Sequence, residues 1–235
     1  MTTPLYLALD QGGHASRAIL FDAQGQALAQ ARAPITTLRA DDRVEHDATE
    51  IVDSLRSALT ELLQSRQDLA PRIAAAGLAT QRSSIVCWHR HTGAPLSPVI
   101  SWQDRRNAAL VDSLRPQAAR IHRLTGLVLS PHYGASKLRW CLDHLPAVAD
   151  TARAGELAFG PLSSYLLREL LTEHPCVVDP ANASRTQLWS PQTHDWSPEL
   201  LQWFGVPAEY LPESVPSTHD YGHLDVAGQR IPLTV

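Results

Sequence analysis

The sequence predicts an α/β fold. Three features carry that expectation: three short apolar strand candidates in a row at the N-terminus, an amphipathic helix directly behind them, and a nearly continuous apolar strand after the helix. A helix between two blocks of strand implies a mixed sheet with helices flanking it.

The strand candidates are Leu5 to Leu9, Ser16 to Asp22 and Ala27 to Ile35, with Ala23 to Gln26 as the second turn. Asp47 followed by Glu50 resembles a capping box. Behind it Ile51, Val52, Leu55, Ala58, Leu59, Leu62 and Leu63 recur at helical spacing, which predicts a helix from Asp47 to Ser65. Ile73 to Thr80 reads as a strand buried on both faces in a parallel arrangement. Ser84 to His89 and Val99 to Trp102 read as further strands around a turn at His91 to Gly93.

Gln103 to Leu114 reads as a helix broken before Pro116, and Leu138, Cys141, Leu142 and Leu145 as another that stops before Pro146. Beyond Thr172, Pro175, Pro180, Pro191, Pro198, Pro207, Pro212 and Pro216 predict loops and short helices laid over the sheet. Tyr221 to Val235 reads as a strand, a turn and a second strand whose pattern is still running at the last residue. No stretch has the look of an interdomain linker, so residues 1–235 are expected to form a single domain.

Composition narrows the function. The chain has 235 residues, 44% hydrophobic and 19% charged, and a net charge of −4 with both signs interspersed. It lacks the basic stripe on which nucleic-acid binding depends, so the expected partner is a small molecule and no nucleic acid. Cys87, Cys141 and Cys176 are odd in number, far apart and without a CxxC pair, which argues against disulfides and structural zinc and for buried thiols in a reducing compartment. No apolar h-region opens the chain, and no apolar run reaches the roughly 18 residues of a membrane span. A cytoplasmic location and no membrane partner are expected. His89 with His91, and His219 with His223, lack a nearby carboxylate or cysteine and are not read as metal ligands.

The first turn carries the most chemistry. Gly12 and Gly13 lack a Cβ, so the chain there is free to take positive φ and aim backbone N–H groups at an anion. Asp10 supplies a hard oxygen suited to Mg²⁺ or its bound water, and Arg17 a guanidinium suited to phosphate. A plain hairpin with a glycine turn has much the same pattern.

These residues resemble the N-terminal domain of the FGGY carbohydrate kinases, most closely the glycerol kinases. The resemblance runs through Leu9 to Gly12, Ser16 to Asp22, Val44 to Asp47, Thr80 to Arg82, Trp102 to Arg106, Lys137 to Trp140, Gly155 to Gly160 and Asn182 to Thr186. It implies an actin-like, ribonuclease-H-type fold in two lobes, with ATP held mainly by a C-terminal nucleotide lobe that lies outside this chain. It also implies ATP and Mg²⁺ as cofactors and a sugar or polyol in the cleft. By position, Asp10 serves the Mg²⁺–phosphate site and Arg17 the transferred phosphoryl group, with Gly12, Gly13 and His14 completing the phosphate turn. Arg82 and Ser83 face substrate hydroxyls, Trp102 packs on the carbon skeleton, and His132 adds a further wall. Homo-oligomers are compatible with a full-length protein of this kind.

Departures from the family pattern bear on the substrate. Gly13 and His14 stand where glycerol kinases have two threonines, Ser83 where they have a glutamate, and His132 where they have a tyrosine. The loss of a charged acceptor at Ser83 removes about 1.5–3 kcal/mol of hydrogen bonding to a polyol. His132 is either a substrate contact or a packed ring, and His14 either a phosphate-neutralising imidazolium or a solvated turn residue. Asp104 and Arg105 follow Trp102 directly, but they read at least as well as a helix-start carboxylate and a surface charge and are left out of the site.

The family's general base, an aspartate in a Gly-Asp-Gln motif, has no counterpart here, so it is expected beyond Val235 and this chain is expected to be catalytically incomplete. The first expectation is therefore one lobe of an ATP-dependent carbohydrate or polyol kinase. The alternative is a non-catalytic sugar-binding or regulatory protein that retains the lobe; a third reading, another actin-like ATPase domain, is opposed by Arg82 and Trp102.

Overall fold

The computed structural model describes residues 3–235. Strands β1 (Leu5–Gln11), β2 (Ala15–Phe21) and β3 (Ala27–Pro34) form the expected antiparallel meander, with Asp10 paired across the ladder with Arg17. Two short strands, β4 (Leu38–Ala40) and β5 (Arg43–His46), lead into helix α1 (Ala48–Ser65). Asp47 caps α1 by accepting from the Thr49 and Glu50 amides at 2.8 and 2.9 Å. The reciprocal half of the capping box is missing. Glu50 turns instead to Thr36, accepting from its amide and its hydroxyl and so tying the meander's exit to the helix start.

Strand β6 (Ile73–Thr80) follows and lies parallel to β1. At the far end of the chain β14 (His223–Val226) and β15 (Gln229–Thr234) form a hairpin, and β15 adds to β6 in parallel. The resulting mixed sheet has the order β14-β15-β6-β1-β2-β3. The apolar stripe of α1 covers one face of it through Ile51, Val52, Leu55 and Leu62.

β6 is not buried on both faces as its composition suggested. Ile73, Ala76 and Leu78 point into the core, whereas Ala74, Ala75 and Ala79 are exposed or half-buried. The two-faced burial belongs to the second sheet, built in the order β4-β5-β8-β7-β9 from β7 (Ile85–His89), β8 (Val99–Ile100) and β9 (Leu157–Pro161). Along β7 the side chains alternate between two cores. Val86 and Trp88 join the core under α1, while Ile85 and Cys87 join a second one that includes Leu138, Phe159, Leu200 and Phe204.

The middle of the chain is helical, with corrected boundaries. The helix expected over Gln103 to Leu114 is confined to α2 (Ala108–Ser113), because Asn107 takes a left-handed φ of 64° and Asp104 turns inward. Short α3 (Ala118–Thr125) precedes α4 (Gly134–His144), which ends before Pro146 as expected; Pro146 then opens α5 (Pro146–Arg153) from the first-turn position that tolerates it. After β9 comes α6 (Leu162–Leu170). The proline-rich remainder holds β10 (Val177–Val178), α7 (Pro180–Ala183), β11 (Trp189–Ser190), β12 (Asp195–Trp196), α8 (Pro198–Phe204) and β13 (Glu213–Ser214). Cys87 and Cys141 are buried thiols, but Cys176 is only half-buried. No helix among the described residues is long and apolar enough to cross a membrane.

Asp47→Ala removes the acceptor for two helix-start amides. The substitution is expected to lower stability by about 1 kcal/mol, read as a melting temperature about 2–4 °C lower. An unchanged melting curve would mean that α1 is held by its packing alone.

Candidate functional site

The β1–β2 hairpin brings its charged residues together by register. Arg17 Nη1 donates to Asp10 Oδ2 at 2.9 Å across the ladder. Both side chains are well exposed, so the pair adds little stability and stays available to a ligand. Neither Gly12 nor Gly13 takes the positive φ their composition allowed. At Gly12 the requirement is one of space, since a Cβ would lie 3.3 Å from the Ala15 carbonyl oxygen, while Gly13 has open surroundings. His14 is exposed; its carbonyl accepts from the Ile35 amide, and Thr37 Oγ1 donates to the Gly13 carbonyl.

A buried chain of hydrogen bonds links this hairpin to the turn that carries Arg82. Gln11, fully buried at the end of β1, donates from Nε2 to the Gly12 carbonyl at 2.7 Å, and its own carbonyl accepts from the Gln81 amide. Gln81 Nε2 donates to Gln11 Oε1 at 3.1 Å, Ser84 Oγ donates to Gln81 Oε1 at 2.9 Å, and the Trp102 amide donates to Ser84 Oγ at 3.0 Å. Between them Arg82 is exposed and Ser83 is buried with φ of 68°, a left-handed conformation unusual for serine. Gln11, Gln81 and Ser84 escaped the sequence reading. Gln11 and Gln81 lie inside the very motifs that pointed to Asp10 and Arg82, which is the signal that was present.

Trp102 and His132 come together as a wall. Trp102 is 39% exposed, and its ring centroid lies 5.5 Å from that of His132, which in turn packs edge-on against Tyr133. Burial, with the nearby charges of Lys137 and Arg185, pushes the His132 imidazole below its ordinary value, so the ring is neutral near pH 7.

Behind the wall lies buried charge that local sequence did not disclose. Asp104 is fully buried rather than a helix-start carboxylate at the surface, and it binds Arg106 through Nε at 2.8 Å and Nη2 at 2.6 Å while accepting from the Val44 amide. Arg106 also donates to Glu45 at 2.5 Å and stacks over Trp140 at 4.6 Å. Arg105, by contrast, is exposed as a surface charge. Lys137, with no exposed surface, donates from Nζ to the His132 carbonyl at 2.7 Å; burial brings its ammonium down to about 7. It thereby fixes the backbone that carries the His132 ring.

As chemistry, the arrangement offers one exposed carboxylate–guanidinium pair on a tight hairpin and, through a buried relay, a turn with an exposed arginine bonded to the backbone of an indole–imidazole wall. Among the described residues no cluster of three or more His, Cys, Asp or Glu could cage a metal ion. Asp10 alone, with Oδ1 uncommitted, matches a Mg²⁺ ion that takes most of its ligands from phosphates and water.

Comparison with known proteins gives a consistent result. The model of the N-terminal domain of the FGGY family of carbohydrate kinases matches residues 5–230. A glycerol kinase from Shewanella frigidimarina is 40% identical over 230 residues, covering 97% of this chain and 46% of that protein. One from Alcanivorax borkumensis is 40% identical over 236 residues, covering 98% and 48%. The crystal structure of Plasmodium falciparum glycerol kinase with ADP superposes with a TM-score of 0.90 at 24% identity, over 99% of this chain and 48% of that one. The chain thus spans about half the length of the relatives it matches.

Lys137 makes stability depend on pH. Its folded-state value, about 7, lies below the ordinary 10.5, so the folded protein releases this proton first and stability rises with pH between those limits. Urea denaturation at pH 7 and pH 9 should show that rise in the native chain and a flatter profile in Lys137→Met. Parallel profiles would show that the ammonium is not the titrating group.

Proposed function

The chain belongs to the FGGY family of carbohydrate kinases, and from that premise we propose that it is the substrate-binding lobe of an ATP-dependent kinase acting on a hydroxyl of a polyol or sugar. The fold is the mixed-sheet, actin-like one of that family. On this reading residues 1–235 are one domain of a longer cytoplasmic enzyme, and a nucleotide lobe follows it.

The observation that supports the reading most is the buried relay from Gln11 to Trp102. It ties the Asp10–Arg17 hairpin to the Arg82–Trp102–His132 wall, so a phosphate-facing element and a polyol-facing element are held by one set of bonds. Phosphoryl transfer demands little covalent chemistry from the protein and much positioning and charge neutralisation. When bound with ATP, Mg²⁺ supplies charge neutralisation at the phosphates, and Asp10 is the residue that would hold it, directly or through water. Arg17 stabilises charge on the transferred group. Arg82 donates to acceptor hydroxyl oxygens, Ser83 lies beside it, and Trp102 with His132 packs on the carbon skeleton.

The attacking hydroxyl also needs a base. Asp104 and Glu45 are held by Arg106, and on this reading Asp10 is the residue that would hold Mg²⁺, so none of these carboxylates is left to take the proton. We assign the base to an aspartate outside these 235 residues. A second reading, a sugar-binding protein without catalysis, is favoured by one feature: neither half-buried Gly13 nor exposed His14 in the turn carries a hydroxyl donor for phosphate.

Phosphorylation assays on the complete gene product with ATP and Mg²⁺, across polyols, ketoses and aldoses, test the proposal. Turnover of at least one acceptor is expected, with none by the isolated 235-residue chain. In the active protein Arg17→Met should lower kcat by about 10²-fold or more, and Trp102→Ala should act mainly by raising KM. Ligand binding without turnover by the complete product would establish the second reading.

A further inference from the structure

The turn between β1 and β2 has a one-sided backbone. Each carbonyl from Gln11 to Ala15 is engaged: that of Gln11 by the Gln81 amide at 3.0 Å, Gly12 by Gln11 Nε2 at 2.7 Å, Gly13 by Thr37 Oγ1 at 3.3 Å, His14 by the Ile35 amide at 3.2 Å and Ala15 by the Gly12 amide at 3.0 Å. The donors show the opposite pattern. Among the described residues, the amides of Gly13 and His14 have no acceptor.

Peptide planarity turns that asymmetry into a direction. In a trans peptide the C=O and the following N–H lie in one plane and point opposite ways, and no peptide bond among the described residues is cis. Gln11 holds the Gly12 carbonyl and so turns the Gly13 N–H away from its own side chain. Thr37 holds the Gly13 carbonyl and so turns the His14 N–H away from the strap of residues 35–37. Two successive donors are left open, the arrangement on which an anion's oxygens settle.

The strap is itself anchored from behind. The Thr36 amide and hydroxyl donate to Glu50 Oε1 at 3.0 and 2.9 Å, and the Thr36 carbonyl lies 3.0 Å from Nδ1 of buried His46. Burial pushes the His46 imidazole below its ordinary value, so the ring is neutral near pH 7 and Nδ1 carries the proton it donates. Thr36 and Thr37, like Gly13 and His14, lie outside the stretches that carry the family resemblance. The turn without hydroxyls is thus paired with a strap that brings one to its carbonyl.

We infer that the strap aims the phosphate turn, and that Thr37 is a positioning residue for the nucleotide: it holds the His14 amide toward the phosphates without touching them. The inference rests on the kinase reading for the identity of the anion, and on the engaged carbonyls for the direction of the amides.

Inorganic pyrophosphate with Mg²⁺, titrated into the ¹⁵N-labelled 235-residue chain against sodium chloride at matched ionic strength, tests the turn by NMR. The Gly13 and His14 amide signals should shift with pyrophosphate and not with chloride. Thr37→Val, which keeps the shape of the side chain and removes its donor, should weaken binding about 2–10-fold, and Thr37→Ser should restore it, with folding checked by circular dichroism. Glu50→Ala, whose lost bonds go only to the strap, should weaken binding in the same sense. Asp47→Ala, at the same helix start but not bonded to the strap, should not. No binding, shifts confined to the His14 ring, or native affinity in Thr37→Val would each overturn the inference. The kinase reading fails separately. In the complete gene product Thr37→Val should raise KM for ATP about 2–10-fold and leave KM for the acceptor unchanged. An unchanged KM for ATP in an active enzyme would overturn this inference alone, whereas the expected amide shifts without turnover of any acceptor would leave the strap's hold on the anion site standing and defeat the kinase reading.

Discussion

The relay of Gln11, Gln81, Ser84 and Trp102 is the constraint on which the rest of the site depends. Its members are largely shielded from water, and each unpaired buried amide or hydroxyl would cost about 1–3 kcal/mol. The end of β1, the turn after β6 and the bend after β8 therefore cannot shift separately without breaking a bond that water is not at hand to replace. Rigidity of this kind suits a reaction whose rate follows from how closely two partners are held.

A second layer of buried charge supports the first from behind. Arg106 gathers Asp104 and Glu45 and lies over Trp140, while Lys137 fixes the carbonyl of His132. Buried ion pairs of this sort add uncertain net stability, but removing one partner strands the other. Their structural effect is to tie β5 and the segment after β8 to each other and to α4 at Trp140. Trp102 and His132 thus have a charge network, not an apolar core, at their back.

Much of this was legible in the sequence where the signal is local. The meander, α1 and β6 were readable because alternation, helical spacing and a capping aspartate act within a few residues, and the structure keeps those boundaries to within one or two positions. A nearly continuous apolar run suggests burial on both faces for β6; that burial belongs to β7, whose Val86 and Cys87 serve different cores, a property that only the arrangement of distant segments decides. The same holds for the site. Asp10 and Arg17 pair through a hairpin register that spacing foretells, whereas the roles of Gln11, Gln81, Asp104 and Lys137 come from partners distant in sequence or brought into reach by a turn that spacing did not foretell.

The left-handed backbone at Ser83 limits how the turn after β6 is able to change. A conformation near φ of 68° admits glycine, asparagine or aspartate with little penalty and resists β-branched or bulky residues. Single substitutions there are channelled toward side chains without a branch at Cβ, which are free to gain or lose an acceptor. Position 83 is therefore open to a change of polarity, serine for a residue with or without a carboxylate, whereas valine, isoleucine and threonine are disfavoured by the backbone itself.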